Sequence, residues 1–350
     1  MYQNIKVRFK GKEKLNRRRR KKRGAKTQSV LKDLKIKTMK EFITYLQKKG
    51  LSQSTQEAYL FNVEQFFKRY KGEPENTEKK DILKHLEYLK NTKKQQNITR
   101  KNSLISLNHY FEFLRENEQI TINPAGFIKI RGTIKKQLYK IFTFEQLEQL
   151  NDDFYNYFIR NFDESRITKN QRKKAFLNRQ RNYVMLGFLI YQGLHTNELQ
   201  KLTFPDTDLN KAKVHIAGTK KSSERTLPLN ASQIGSLINY IQNIRPQFFD
   251  YRSDENEQLF LPLPPTGGTH TDNLNVMGII KPLTKQVKII NADFTGFKQI
   301  RASVITHWIK NYGLRKAQYT AGHKYIHNTE KYLPNDLESL TDDITKFNPF

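Results

Sequence analysis

The sequence predicts a mainly α fold in two units: an all-helical first unit, then a mixed α/β unit with a small hairpin sheet. Three observations carry this reading. Apolar residues recur at helical spacing through most of 38–118 and again beyond 143. Asn123-Pro124 breaks that pattern ahead of a basic stretch. Two short runs, Val214-His215-Ile216 and Arg225-Thr226-Leu227-Pro228-Leu229, read as strands joined by a turn over Gly218 to Glu224. A length of 350 residues accommodates two domains at about 100–200 residues each.

Composition narrows the function classes. Lys plus Arg is 63 against 34 for Asp plus Glu, a net +29, and this points to a polyanionic partner, nucleic acid foremost. The absence of cysteine excludes a disulfide scaffold, a thiol nucleophile and a Cys-liganded zinc site. No apolar run reaches the roughly 18 residues that span a bilayer. Met1 to Lys14 holds no apolar signal-peptide centre. A soluble cytoplasmic protein, associated with a bacterial nucleoid, is the expectation.

Taken in order, residues 1–37 hold 16 Lys/Arg against Glu13 and Asp33. The run Arg17, Arg18, Arg19, Arg20, Lys21, Lys22, Arg23 repels itself and has nothing apolar to bury, so it reads as a disordered arm that contacts DNA phosphates. Residues 38–124 read as a compact four-helix unit. Phe42 and Leu46 mark the first helix. Ser54-Thr55-Gln56-Glu57 is read as a capping box, followed by Tyr59, Val63, Phe66 and Tyr70. Thr77 is read as the cap of a helix holding Ile82, Leu86 and Leu89. Leu104, Leu107, Phe111 and Leu114 share one face of the fourth. The aromatic residues here are assigned to the core rather than to base stacking.

Residues 125–138 read as a basic linker. The second unit, 139–350, opens on a capping box at Thr143-Phe144-Glu145-Gln146. The polar basic stretch 160–182 is expected to be an insertion or an exposed helix, and 183–194 a separate buried one. The remainder to about 332 reads as mostly helical. Beyond it Pro334 stops a helix and Asn335 caps another, spanning 335–348. There Leu337, Leu340, Ile344 and Phe347 form an apolar stripe beside Asp336, Glu338, Asp342 and Asp343.

No glycine-rich phosphate loop occurs and no paired histidines sit at metal spacing, so neither a cofactor nor a metal is expected. Without cysteine, a nucleophile must be Tyr, Ser, Lys or a carboxylate. Four motifs concentrate the chemistry. They are Gly193-Leu194-His195-Thr196-Asn197-Glu198-Leu199, Gly296-Phe297-Lys298-Gln299-Ile300-Arg301, Gly322-His323, and Thr329-Glu330-Lys331-Tyr332.

In order and spacing these motifs resemble the tyrosine recombinase (phage integrase) family. That family shows Gly-Leu-Arg-x-x-Glu-Leu, a hairpin lysine, His-x-x-Arg, Gly-His and, nine residues on, a nucleophilic tyrosine. Here Lys220 falls in the hairpin, with Lys221 its neighbour and alternative, and Tyr332 follows His323 by nine. The resemblance covers about 38–350. It implies a helical SAM-like DNA-binding domain and a catalytic domain that close on duplex DNA as a C-shaped clamp. The implied activity is site-specific recombination or integration through a 3′-phosphotyrosyl intermediate, serving a mobile element. Tyr332 would be the nucleophile and Lys220 the acid for the departing 5′-oxygen. Arg301, His323, Lys298 and His195 would hold the phosphate. The implied partners are double-stranded DNA, three further copies in a tetramer exchanging C-terminal helices, and an accessory DNA-bending protein. Rival readings are a catalytically degenerate DNA-binding member of the same fold, and a basic RNA-binding protein.

Two positions depart from the family pattern. His195 stands where the family has its first arginine, and Lys298 where it has the first histidine. Lys298 keeps a cationic donor. His195 gives up a permanent charge and a fork of donors for a single N–H, which implies a slower enzyme or a substitute base. Arg225, Arg179 and Arg181 are the substitutes within reach in the sequence.

Overall fold

The computed structural model describes residues 38–333 apart from 133–138, 164, 166, 220–221, 254–255, 266–267 and 272–274. The basic arm, Lys220, Lys221 and the tail expected to be helical over 335–348 therefore lie outside the described residues. The chain divides into two compact units at 136/137.

Among the described residues the first unit is built on four α-helices: α1 (38–48), α2 (Gln53–Arg69), α3 (Lys79–Asn91) and α4 (Asn97–Glu116). α4 packs against both α2 and α3. The apolar stripes meet in one core of Phe42, Leu46, Val63, Phe66, Ile82, Leu86, Leu107, Phe111 and Leu114. Aromatic edges fill it; Tyr110 meets Phe42 at 5.2 Å between centroids and 89° between planes.

Two expected caps fall elsewhere. α2 begins at Gln53, so Ser52 is its cap and Ser54 lies inside the first turn. Glu57, the partner a Ser54 box needs, accepts instead from Gln53 (3.0 Å), and Gln56 reaches back to the Leu51 carbonyl (2.8 Å). α3 is capped by Glu78 rather than Thr77, and Asp81 accepts from the Glu78 N–H at 3.1 Å. Thr77 instead ends the short 3-10 turn Pro74–Asn76. The stretch read as linker also belongs in part to this unit. Ile128 and Ile130 pack on the core, and Asn97 donates to the Arg131 carbonyl at 2.8 Å.

In the second unit α5 (Phe144–Tyr155) starts at the expected box, Gln146 N donating to Thr143 Oγ1 (3.2 Å) and Thr143 N to Gln146 Oε1 (3.0 Å). The polar stretch and the apolar one after it form a single helix, α6 (Lys169–Tyr191). Its polar half is not simply exposed: Leu177, Arg179 and Arg181 are buried. Arg181 donates to the Leu261 carbonyl at 2.8 Å and Arg179 lies 3.7 Å over the Phe162 ring. Acceptors and aromatic faces thus make burial of guanidinium groups affordable, and polarity alone misreads the position.

The sheet is antiparallel in the order β1 (Thr207–Asp208), β2 (Lys213–Ile216), β3 (Arg225–Pro228). β1 is two residues long and carries no alternation to read. The hairpin register pairs Val214 with Leu227 and Ile216 with Arg225. The period of two turns Val214, Ile216, Arg225 and Leu227 to the buried face. The described α-helices of this unit are further α7 (Thr196–Lys201), α8 (Ala231–Asn239), α9 (Met277–Ile290), α10 (Phe297–Ala321) and α11 (His327–Glu330). α10 is broken at Gly313 (φ 78°, ψ 166°). α6 lies against α5 and α10 over a core that includes Leu147, Phe154, Met185, Phe188, Leu283 and Ile300.

Candidate active site

Each motif sits at the end of an element, where backbone geometry aims its side chain. Gly193 follows α6 with φ 54°, and a Cβ there would come within 3.0 Å of Trp308 and Val304. Its carbonyl accepts from Arg301. His195 is the N-cap of α7: its Nδ1 accepts from the Asn197 N–H at 3.1 Å. Glu198 closes the reciprocal box by accepting from the His195 N–H at 2.8 Å. His195 thus keeps an exposed edge while its ring is held by the helix start.

Glu198 is buried and takes a two-pronged bond from Arg225, Nη1 to Oε1 at 2.8 Å and Nη2 to Oε2 at 3.1 Å. Arg301 Nη1 lies 3.8 Å from the same carboxylate. Burial works to raise the Glu198 pKa, but Arg225 and Arg301 outweigh it and hold the carboxyl below its usual range.

Arg301 lies in the second turn of α10 and is largely buried. It donates to the Ala321 carbonyl at 2.8 Å as well as to Gly193, and its Nη2 stands 3.4 Å from His323 Nε2. Gly322 ends α10 with φ 71° and swings the chain so that His323 faces Arg301. His323 Nδ1 pairs with the hydroxyl of the fully buried Thr329 at 2.9 Å. Desolvation, then the charges of Arg301 and Arg225, push the His323 pKa down to about 4, so the ring is neutral near pH 7. Tyr332 stacks on that ring, 5.8 Å between centroids and 10° between planes, and its side chain also faces Arg301.

Tyr332, His323, Arg301 and His195 therefore converge, with Glu198 and Arg225 beneath them. Lys298 is exposed one turn ahead of Arg301, and its charge acts on His195. Lys220 and Lys221 lie outside the described residues. The hairpin backbone on either side is held: Thr219 N donates to Ser222 O (2.8 Å) and Ser223 N to Gly322 O (2.9 Å), while Ser222 pairs with His323. Arg17, Arg18, Arg19, Arg20, Lys21, Lys22 and Arg23 are likewise outside. Of the three substitute arginines only Arg225 enters the site; Arg179 and Arg181 are spent on Phe162, Leu261 and the neighbouring Asn182. The motif contains Thr329 but its spacing assigns it no role, because a partner for His323 is a matter of folding and not of spacing.

Among the described residues no helix is long and apolar enough to cross a membrane, and no group of three His, Cys, Asp or Glu is arranged to hold a metal. The profile of the "Phage integrase family" matches residues 158–338, and that of the "Phage integrase, N-terminal SAM-like domain" matches 38–121. "Tyrosine recombinase XerD" of Staphylococcus epidermidis is 30% identical over 176 residues, 49% of this chain; the match spans 56% of that relative's length. "Tyrosine recombinase XerC" of Thermodesulfovibrio yellowstonii is 26% identical over 312 residues, 86% of this chain and 92% of the relative. The fold is similar to a lambda integrase dimer bound to a COC′ core site, with a TM-score of 0.58 at 14% identity, covering 86% of this chain and 95% of that one. It is similar also to XerH bound to a palindromic difH substrate, with a TM-score of 0.58 at 18% identity over 85% and 81%. On its sequence-profile match, which spans more than half its length, the chain belongs to the phage integrase family of tyrosine recombinases.

Proposed function

We propose that this chain is a site-specific recombinase that breaks and rejoins duplex DNA through a 3′-phosphotyrosyl intermediate, in the service of a mobile element. The observation that carries the reading is the stacking of Tyr332 on His323 beside Arg301. A phenol, a neutral imidazole and a guanidinium then lie side by side in a strongly basic chain.

Tyr332 passes its phenolic proton to the neutral His323 beside it and its oxygen attacks phosphorus, the bond to the 5′-oxygen breaks, and Lys220 supplies the proton that the departing oxygen needs. The phosphotyrosyl ester retains the energy of the phosphodiester, so rejoining is the same step reversed. Arg301 neutralises the non-bridging oxygens. His323, once it has taken the phenolic proton, donates an N–H to the phosphate, and His195, with Nδ1 already accepting, donates through Nε2. Lys298 adds charge at the rim. The arm over residues 17–23 holds phosphates nonspecifically, and the acidic tail after Tyr332 links copies into a tetramer on DNA, with an accessory bending protein as a further partner.

A second reading, a degenerate DNA-binding member, is favoured by one observation. Arg225 is bound to Glu198 and does not replace the fork missing at His195. Loss of one transition-state donor costs on the order of 10²–10³ in rate, so a slow enzyme is the form of the proposal. Nicked suicide duplexes carrying the recombination site decide. The chain should form an adduct resistant to SDS, and Tyr332→Phe should bind the same duplex and form none. No adduct from the unaltered chain would favour the second reading; adducts from Tyr332→Phe would remove Tyr332 as nucleophile.

A further inference from the structure

Arg225 is a buried charge to which the mechanism assigns no step. Its side chain is fully buried. Strand periodicity sets it on the core face of β3, a position normally apolar. Nη1 and Nη2 hold Glu198, and Nε donates to the Thr320 carbonyl at 2.7 Å. The guanidinium also lies flush against the Gly322 backbone: a Cβ at 322 would stand 2.3 Å from Nη1 and 2.8 Å from Cζ. Gly322 is therefore needed for close approach as well as for its φ of 71°.

Three chain segments meet at this one group. Glu198 ties it to the start of α7, where the carboxylate also holds the His195 N–H. Thr320 and Gly322 tie it to the turn that presents His323. Its own strand continues the hairpin, whose Ser223 N–H binds the Gly322 carbonyl. We propose that Arg225 is a positioning residue, which registers the His195 helix start, the hairpin and the His323 turn so that all three bear on one phosphate. The planar fork suits this task, because a two-pronged bond fixes direction as well as distance, which an ammonium does not. The proposal rests on the reading of Tyr332, His323, Arg301 and His195 as the catalytic set.

The test compares the unaltered chain with Arg225→Lys, which keeps charge but loses the fork, and with the double variant Glu198→Gln/Arg225→Met, which removes both members of the buried pair and leaves Arg301 on its two carbonyl acceptors. Single-turnover adduct formation on the nicked duplex is measured per DNA-bound protein, alongside duplex affinity and thermal midpoint. Both variants should bind duplex as the unaltered chain does and react slower by on the order of 10²-fold, as small misplacements of reacting groups do. In the double variant the acid limb of the pH–rate profile should move to higher pH. Arg301 and Lys331 still bear on His323, and of the two charges removed Arg225 acts on it more strongly than Glu198. Unchanged rates and profile per bound protein would overturn the positioning role, and so would a loss confined to affinity. Absence of adduct from the unaltered chain would instead overturn the proposed function.

Discussion

His195 shows how a single side chain is constrained by its place in the backbone. As N-cap of α7 it uses Nδ1 to accept the Asn197 N–H, which leaves Nε2 as the donor toward solvent. Partial desolvation, then Arg301 and Lys298, push its pKa below the ordinary histidine value, with Glu198 opposing. The ring is thus a neutral, single donor at pH 7. His195→Arg restores a fork but forfeits the cap, at about 1 kcal/mol, and adds a cation beside Arg301. Adduct formation by this variant should rise several-fold with a slightly lower melting temperature and little change in duplex affinity. Lower activity would mean that the imidazole itself, with its fixed tautomer, is required.

At the scale of the element, helix α3 of the first unit carries a stability cost readable only from the fold. His85 is 3% exposed and meets the Phe66 ring edge-on at 5.2 Å. Neither ring nitrogen has a partner among the described residues. Burial, with Arg69 nearby, pushes its pKa from 6.5 to about 4. Between those values the unfolded chain binds more protons than the folded one. Stability is therefore complete above about pH 6.5 and falls as pH drops toward 4, by up to about 3 kcal/mol from this group. His85→Leu should flatten that acid loss in denaturant melts of the chain between pH 4.5 and 7. At pH 7 it should be neutral or stabilising, since both unpaired nitrogens leave together. An acid loss as steep as in the unaltered chain would show that other groups control it.

For the molecule as a whole the governing quantity is charge. The net +29 is concentrated at the start, where 16 Lys/Arg stand within 37 residues. Each phosphate neutralised contributes about −0.9 to the slope of log K against log salt. Deletion of residues 1–37 should flatten that slope and weaken binding to every duplex alike. A slope unaltered by the deletion would make the arm a passenger. A loss confined to one DNA sequence would assign it base contacts instead of phosphate contacts.

The linear chain already contained the periodic part of this protein. Apolar spacing marked α2, α3 and α4, the Thr143–Gln146 box marked the start of α5, and alternation marked β2 and β3. These signals are local, since a helix or strand face repeats along a few residues whatever lies opposite. Motif order likewise singles out Tyr332, His323, Arg301, His195, Lys298 and Lys220 together, of which Lys220 lies outside the described residues. Competing local bonds were harder to rank, and so Ser52 and Glu78 cap α2 and α3 where Ser54 and Thr77 were expected. Folding alone settled which charges are buried. Arg181 has its carbonyl acceptor 80 residues away and Arg225 its carboxylate 27 residues away. Thr329 meets His323 only because α11 turns the chain back. Such pairings depend on long-range packing, which dictates where a buried polar group finds its partner and leaves no periodic trace in sequence.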